Sequence, residues 1–285
     1  MIIWLASYPK SGNTWVRSFI NSLLFSQSGE VDLDKLKNIY QFPVRSQFKN
    51  IVSDLEDLTE LSKNWIKAQT IINSDKKLRF FKTHNGLFKI DGNSFTNIEN
   101  TLGVIYVVRD PRAVVTSVLH HFQKKNYNEA KDFIFESNQI MGISSNKKKE
   151  TYRDMEIKTL ISSWKNHYNS WKSFPNNNLL IKYEDLVKDP FTEFGKLEKY
   201  LSNILQIKFD NNKIEKCINN NSFDNLKKIE ENKGFIEATN DSVTNKKRKF
   251  FNLGPENIWQ NLLPSEIKES IESNFRLEME ELGYL

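Results

Sequence analysis

The chain is short of several things, and each shortage excludes a class of protein. It has one cysteine, Cys217, among 285 residues. That rules out an intrachain disulfide and points away from a cysteine-based zinc site and an oxidising compartment. No stretch approaches the ~20 consecutive apolar residues of a membrane-spanning helix. No basic segment precedes the first apolar run, which stops at Tyr8, so a secretory signal is not expected and a cytoplasmic protein is. Histidine is scarce, at four residues. The adjacent His120 and His121 lack a third nearby ligand and read as helix-surface or core residues rather than a metal site. No internal repeat occurs. Neither sign of charge dominates: a net +5 fits an anionic ligand as well as a nucleic acid and separates neither.

Aromatic residues, by contrast, are plentiful. With 38% hydrophobic residues, 20 Phe and 6 Trp, the chain can pack a sizeable core, and its length suits a single domain over 1–285. Residues 2–20 organise the rest. Ile2, Ile3, Trp4, Leu5 and Ala6 form a continuous apolar run, as in a strand covered on both faces. Pro9 and Gly12 break it. From Thr14 the apolar residues fall at Trp15, Val16, Phe19, Ile20, Leu23 and Leu24, the spacing of one helical face. The turn between them ends where a helix begins, with free N–H groups and the positive end of the helix dipole. Lys10 adds a full positive charge. Such a turn suits a phosphate. A kinase-type P-loop places lysine directly after its second glycine, followed by a hydroxyl for magnesium. Here Asn13 fills that position, and Lys10 precedes Gly12 by two residues.

Further strands are expected at Leu78–His84, Leu102–Val108 and Leu179–Tyr183, each followed by helical periodicity. This alternation predicts an α/β fold, with a central parallel sheet flanked by helices in three layers. In such sheets the ligand crevice lies beyond the carboxyl ends of the strands. Lys10, His84 and Arg109 all sit at such ends. An imidazole there can take a proton from an attacking hydroxyl near neutral pH. Asp110 reads as an N-cap with Pro111 in the first helical position. Residues 26–76 read as short helices with long connections, either part of a lid and acceptor pocket or plain surface. Residues 124–154 read as a solvated, mobile loop, with a lid as the sharper option. The apolar spacing from Ile157 through Trp171 predicts one long helix, and Pro264 through Met279 another.

YPKSGNTW, residues 8–15, resembles the 5′-phosphosulfate loop of the sulfotransferases, which use 3′-phosphoadenosine 5′-phosphosulfate (PAPS) and release PAP. The usual form is YPKSGTTW, so Asn13 is the one departure. The resemblance implies a P-loop-like fold and a cofactor-binding set of Lys10, Ser11, Gly12, Asn13, Thr14 and Trp15. Lys82-Thr83-His84 resembles the family's KTH segment, whose histidine is the general base. Arg109 and Ser117, eight residues apart, resemble the pair that holds the 3′-phosphate. KYEDLVKDP, with Tyr183 contacting the nucleotide and Asp189-Pro190 opening a helix, is similar to another family segment. Asn221-Ser222-Phe223 resembles the element lying against the adenine, which implicates Asn221 and Phe223. FFNLGPENIWQNLL resembles FFRKGxxGDWKNxL with Gly254 and Trp259 matched. Asn252, Leu253 and Asn257 replace the family's arginine, lysine and second glycine. The basic run ending in Arg248 and Lys249 is a substitute source of charge for the 3′-phosphate. The dimer motif K-x-x-x-T-V-x-x-x-E of the cytosolic animal enzymes is not found, and the membrane-anchored Golgi type is not expected.

The implied reaction transfers a sulfuryl group from PAPS to a hydroxyl or amine, with no metal required. His84 deprotonates the acceptor, and Lys10 neutralises charge on the bridging oxygen. Ser117 holds Lys10 until the acceptor arrives, and Lys82 adds charge at the transferring group. The expected partner is a small-molecule, lipid or glycan acceptor, without nucleic acid. Two other readings stand beside this one. A P-loop nucleotide kinase would show ATP-dependent binding, and a non-catalytic nucleotide-binding module would bind PAP without turnover.

Overall fold

In a computed structural model, residues 1–142, 157–241 and 244–285 are described. In chain order the elements are β1 (Ile2–Ser7), α1 (Asn13–Phe25), a 3-10 turn (Leu33–Asn38), β2 (Tyr40–Gln41), α2 (Arg45–Phe48) and α3 (Leu58–Asn73). There follow β3 (Arg79–Thr83), the hairpin β4 (Lys89–Ile90) and β5 (Asn93–Ser94), β6 (Thr101–Val108), α4 (Pro111–His121) and α5 (Tyr127–Phe135). Then come β7 (Ile140–Met141), β8 (Thr159–Leu160), α6 (Trp164–Lys172), β9 (Asn178–Lys182), α7 (Tyr183–Lys188) and α8 (Pro190–Leu205). The chain closes with α9 (Asn211–Asn220), α10 (Phe223–Lys233), α11 (Trp259–Leu262), α12 (Ser265–Asn274) and α13 (Arg276–Glu281).

A five-stranded parallel sheet of order β2-β3-β1-β6-β9, flanked by helices, is the centre of the fold. The expected α/β class is therefore correct. Every residue of β1 is buried, which is why its sequence is continuously apolar instead of alternating. β1 pairs with β3 so that Leu5 lies opposite Lys82 and Ala6 opposite Thr83. This register brings both strand ends, and hence Ser7 and His84, to the same edge.

By contact the chain divides into two compact units: Met1–Tyr8, Ile39–Tyr106 and Glu136–Leu180 in the first, and Pro9–Asn38, Val107–Phe135 and Ile181–Leu285 in the second. The core of the first is aromatic. Trp4 packs against Phe42, Phe81, Phe95 and Trp171 with ring centroids 5.4–6.3 Å apart, the spacing of favourable edge and tilted contacts. Its indole N–H donates to Thr101 Oγ1 at 2.9 Å. In the second unit Phe19 stacks on Phe194 at 4.2 Å, and Trp15 meets Phe194 edge-on.

The sequence places strand ends and caps well. Asp110 Oδ1 accepts the Arg112 N–H at 2.9 Å with Pro111 in the first turn of α4, and Asp189 caps α8 through the Thr192 N–H. Four expectations need correction. The long helix from Ile157 does not form. Ser162 takes φ +59°, the Ser163 hydroxyl caps the Asn166 N–H, and α6 starts only at Trp164. Within 124–154, Tyr127–Phe135 is a helix whose Ala130, Phe133 and Ile134 face inward at helical spacing. Residues 143–154 of that stretch lie outside the described residues. The short helices expected in 26–76 include the long α3, capped by Asp57. The closing helix is broken at the fully buried Phe275, whose φ of −111° ends α12 before α13 begins.

Candidate active site

The turn from β1 into α1 is built from two residues in left-handed backbone. Lys10 has φ +68° and Gly12 φ +101°. Alternating backbone of this kind turns successive N–H groups toward one point, a nest for an anion. Lysine seldom adopts this conformation, so its strain marks a turn held by its surroundings. Gly12 is required twice over. Besides its φ, a Cβ there would lie 2.5 Å from the Tyr183 ring. As the N-cap it offers no side chain to the first amides of α1, and no acidic residue occupies the first turn. The Ser11 hydroxyl, 1% exposed as a residue, is buried without a partner among the described residues. A buried hydroxyl is not left unpaired cheaply, and a ligand oxygen would pair it. Asn13, Thr14 and Trp15 are also buried; Trp15 donates its indole N–H to the Asn221 carbonyl at 2.6 Å.

Arg109 lies beside this turn in the same unit. Its Nη1 donates to the Lys10 carbonyl at 3.2 Å and to Ser117 Oγ at 3.1 Å, and its guanidinium lies over the Tyr183 ring at 4.1 Å. It is 6% exposed and thus held on three sides. Ser117 receives a second donor, Asn257 Nδ2, at 3.1 Å. With two donors on its oxygen, the hydroxyl hydrogen is left to point at a third group. Behind Arg109, Glu184 accepts the Asp110 N–H at 3.0 Å and the Tyr284 hydroxyl at 2.9 Å, and burial raises its pKa.

The remaining expected contacts divide. Phe223 lies against Gly254, where a Cβ would come within 2.1 Å of the ring, and Gly254 takes φ +50°. Asn221 is fully buried, and its amide binds Ser22 Oγ and the Cys217 carbonyl, so it braces α1 against α9. Arg248 donates to His120 Nδ1 at 3.0 Å. His120 Nε2 therefore carries the proton and is buried without a partner among the described residues. Burial and the charges of Arg248 and Lys10 hold its pKa down. Lys249 is exposed and paired with Glu231 at 2.7 Å. Lys10 Nζ lies 4.4 Å over the Phe250 ring.

The first unit carries Lys82 and His84. Lys82 is nearly buried at the end of β3. His84 Nδ1 is 2.8 Å from the Ser7 carbonyl and 3.3 Å from Ser7 Oγ. A carbonyl only accepts, so Nδ1 carries the proton and the basic lone pair is at Nε2. That is the tautomer a general base needs.

Two residues with a part in this arrangement escape the sequence reading. Asn257, read only as a departure from a family glycine, holds Ser117 and also bonds Thr116 Oγ1 and the Ala113 carbonyl. His167 donates to the His84 carbonyl, and its place in a helical apolar pattern gave no signal of that.

Comparison with known proteins gives the family and the fold. Residues 2–283 match the model of the sulfotransferase domain. Cytosolic sulfotransferase 10 of Arabidopsis thaliana is 25% identical over 276 residues, covering 95% of this chain and 75% of that protein. Flavonol 3-sulfotransferase of Flaveria bidentis is 23% identical over 277 residues, covering 95% and 79%. A mouse sulfotransferase complexed with PAP shares the fold at a TM-score of 0.58 and 18% identity, covering 97% of this chain and 84% of that one. The fold and the family model define a sulfotransferase, a transferase of the EC 2.8.2 type, and the nucleotide-kinase reading is set aside. The chain belongs to the sulfotransferase domain family. No helix among the described residues is long and apolar enough to cross a membrane.

Proposed function

We propose that the chain moves the sulfuryl group of PAPS to the hydroxyl or amine of a small-molecule acceptor, with Lys10, His84, Arg109 and Ser117 as its working residues. The observation that carries this reading is the turn at residues 8–14. It joins left-handed Lys10 and Gly12 to a buried Ser11 hydroxyl with no partner among the described residues, beside an arginine already bonded to a serine. These are donors for two separate anionic groups, as the 5′ and 3′ ends of PAPS require.

PAPS supplies an activated sulfuryl group when bound. Lys10, Ser11 and the first amides of α1 hold the 5′ anion. Arg109, through its fixed fork of donors, and the Ser117 hydroxyl hold the 3′-phosphate. Tyr183 and Phe223 supply aromatic faces for the nucleoside. Lys10 sets a cation where negative charge develops, an effect typically worth ~3–4 kcal/mol for a preorganised donor. His84 takes the acceptor's proton at Nε2, and Lys82 adds charge in the same role as Lys10. Thr14, Trp15, Asn13 and Asn221 shape the turn, and Arg248 and Lys249 supply the surrounding positive field. A small-molecule acceptor is supported by the relative from Flaveria bidentis, which is named for a flavonol.

Thermal-shift or native-mass measurement with PAP, ADP and ATP tests this. PAP should stabilise the protein more than ADP, because only PAP carries a 3′-phosphate; a tenfold tighter site contributes about 1.4 kcal/mol more. Equal shifts with PAP and ADP would sink the assignment.

A further inference from the structure

The segment that follows β3 is held by one helix and one short strand. His167 Nε2 donates to the His84 carbonyl at 3.1 Å, Trp171 Nε1 donates to the Asn85 carbonyl at 2.9 Å, and the Leu87 N–H donates to Ser170 Oγ at 2.9 Å. The residues at 167, 170 and 171 lie on one face of α6, spaced i, i+3, i+4. From β8, the Leu160 carbonyl accepts the Gly86 N–H at 2.9 Å. In each of residues 84 to 87, therefore, a main-chain group has a fixed partner.

His167 differs from the other members of this clamp. It is the titratable one, it is fully buried, and its second nitrogen is engaged: Tyr106 Oη lies 2.8 Å from Nδ1. The direction of every bond in this row can be deduced. The His84 carbonyl only accepts, so His167 Nε2 carries the proton. A neutral imidazole has one such proton, so Nδ1 is the acceptor and the Tyr106 hydroxyl is the donor. The row runs one way, from Tyr106 in β6 through His167 in α6 to the main chain of His84. His84 in turn donates a hydrogen bond from Nδ1–H to the Ser7 carbonyl in β1. The residue is thus gripped at both ends, by its main-chain oxygen and by its ring.

We propose that His167 is a positioning residue of the transfer reaction, which sets the orientation and tautomer of His84 by holding its main-chain carbonyl, with Tyr106 setting the tautomer of His167 in turn. This rests on the reading of His84 as the general base. A histidine free in water favours the proton on Nε2, which would leave His84 with its lone pair on the wrong nitrogen. The grip on residue 84 reverses that preference by keeping Nδ1 aimed at the Ser7 carbonyl. A second proton on His167 would set Nδ1–H against the tyrosine hydroxyl and bring a positive charge beside the base. The buried site and the donor from Tyr106 exclude that state. An apolar residue at 167 would fill the space but leave the His84 carbonyl unheld.

The chain's four histidines make its imidazole spectrum tractable, and the test is nitrogen-15 NMR of the full-length protein labelled at histidine. Wild-type His84 should show a protonated Nδ1 and an unprotonated Nε2, and His167 should stay neutral from pH 5 to 8. Tyr106→Phe keeps the ring and removes the donor, and His167→Leu removes the grip. Each should shift the ratio of the two His84 tautomers toward Nε2–H by about five- to tenfold, the effect of one lost hydrogen bond. His167→Gln, which can still donate to the carbonyl, should restore the wild-type pattern. Unmoved His84 signals in folded Tyr106→Phe and His167→Leu, or a wild-type His167 that titrates between pH 5 and 8, overturn the proposal. PAP binding measured on the same samples separates the two layers of argument. A wild type that binds no PAP overturns the reading of function on which this role depends. A wild type that binds PAP while its His84 signals ignore both substitutions overturns the positioning role alone.

Discussion

Asn257 donates from Nδ2 to Ser117 Oγ at 3.1 Å, across 140 residues of sequence. Together with Arg109 it fills the acceptor positions of that hydroxyl, so the proton of Ser117 is left for a third group, which in the proposed function is the 3′-phosphate. Asn257→Ala should weaken PAP by about five- to tenfold, the worth of one oriented hydrogen bond, and leave ADP affinity unchanged. The same change removes one bond each from Thr116 and the Ala113 carbonyl, which stay bonded to each other at 2.8 Å, so it costs about 1 kcal/mol in unfolding free energy. Calorimetric titration with both nucleotides checks this; equal weakening would show that Asn257 acts on the fold rather than on Ser117.

Arg109→Ala should erase the preference for PAP over ADP. The guanidinium is the charged donor of the pair, and charge-assisted hydrogen bonds are about twice as strong as neutral ones. Competition between the two nucleotides reads this directly, and a retained preference would assign the 3′-phosphate to Arg248 or Lys249 instead.

His84→Ala should lower turnover by ~10²–10⁴-fold, the usual contribution of a general base, with PAP affinity nearly unchanged. Lys10→Ala should lose both turnover and affinity, because its charge meets the donor nucleotide. Steady-state rates with any acceptor that turns over, alongside PAP titration, separate the two. Wild-type turnover in His84→Ala would return that residue to a structural role.

His167 predicts a pH effect on stability. Burial pushes its pKa from 6.5 down to about 3. As pH falls below 6.5 the unfolded chain takes up a proton that the folded protein refuses, so stability falls, by up to ~1.4 kcal/mol per pH unit from this group. His167→Gln should flatten the dependence between pH 6.5 and 5, where most carboxylates have not yet titrated. Urea unfolding across that range is the measurement, and identical slopes for the two proteins would contradict it.

Activity should survive EDTA. The proposed chemistry places Lys10 where a kinase would place a metal ion, and Asn13 stands where the kinase lysine would be. Loss of turnover on chelation, restored by Mg²⁺, would count against it.

Local rules carried most of the fold. A continuous apolar run made β1 a buried strand, Gly12 and the helical spacing after it made the turn into α1, and Asp110-Pro111 and Asp189-Pro190 started helices at the expected places. Each depends on residues within a few positions of one another, so each could be read from the sequence by itself. Helix boundaries at Ser163 and Phe275 could not, because the apolar spacing runs through both while the backbone turns aside. Nor could the partners that orient the candidate site. Tyr183 under Gly12, Asn257 on Ser117 and His167 on the His84 carbonyl join residues 83 to 171 positions apart. The sequence by itself determined which chemical groups the chain owns and which strand ends carry them. Only the tertiary structure decided where their protons point, because a hydrogen bond's direction is set by the partner it meets.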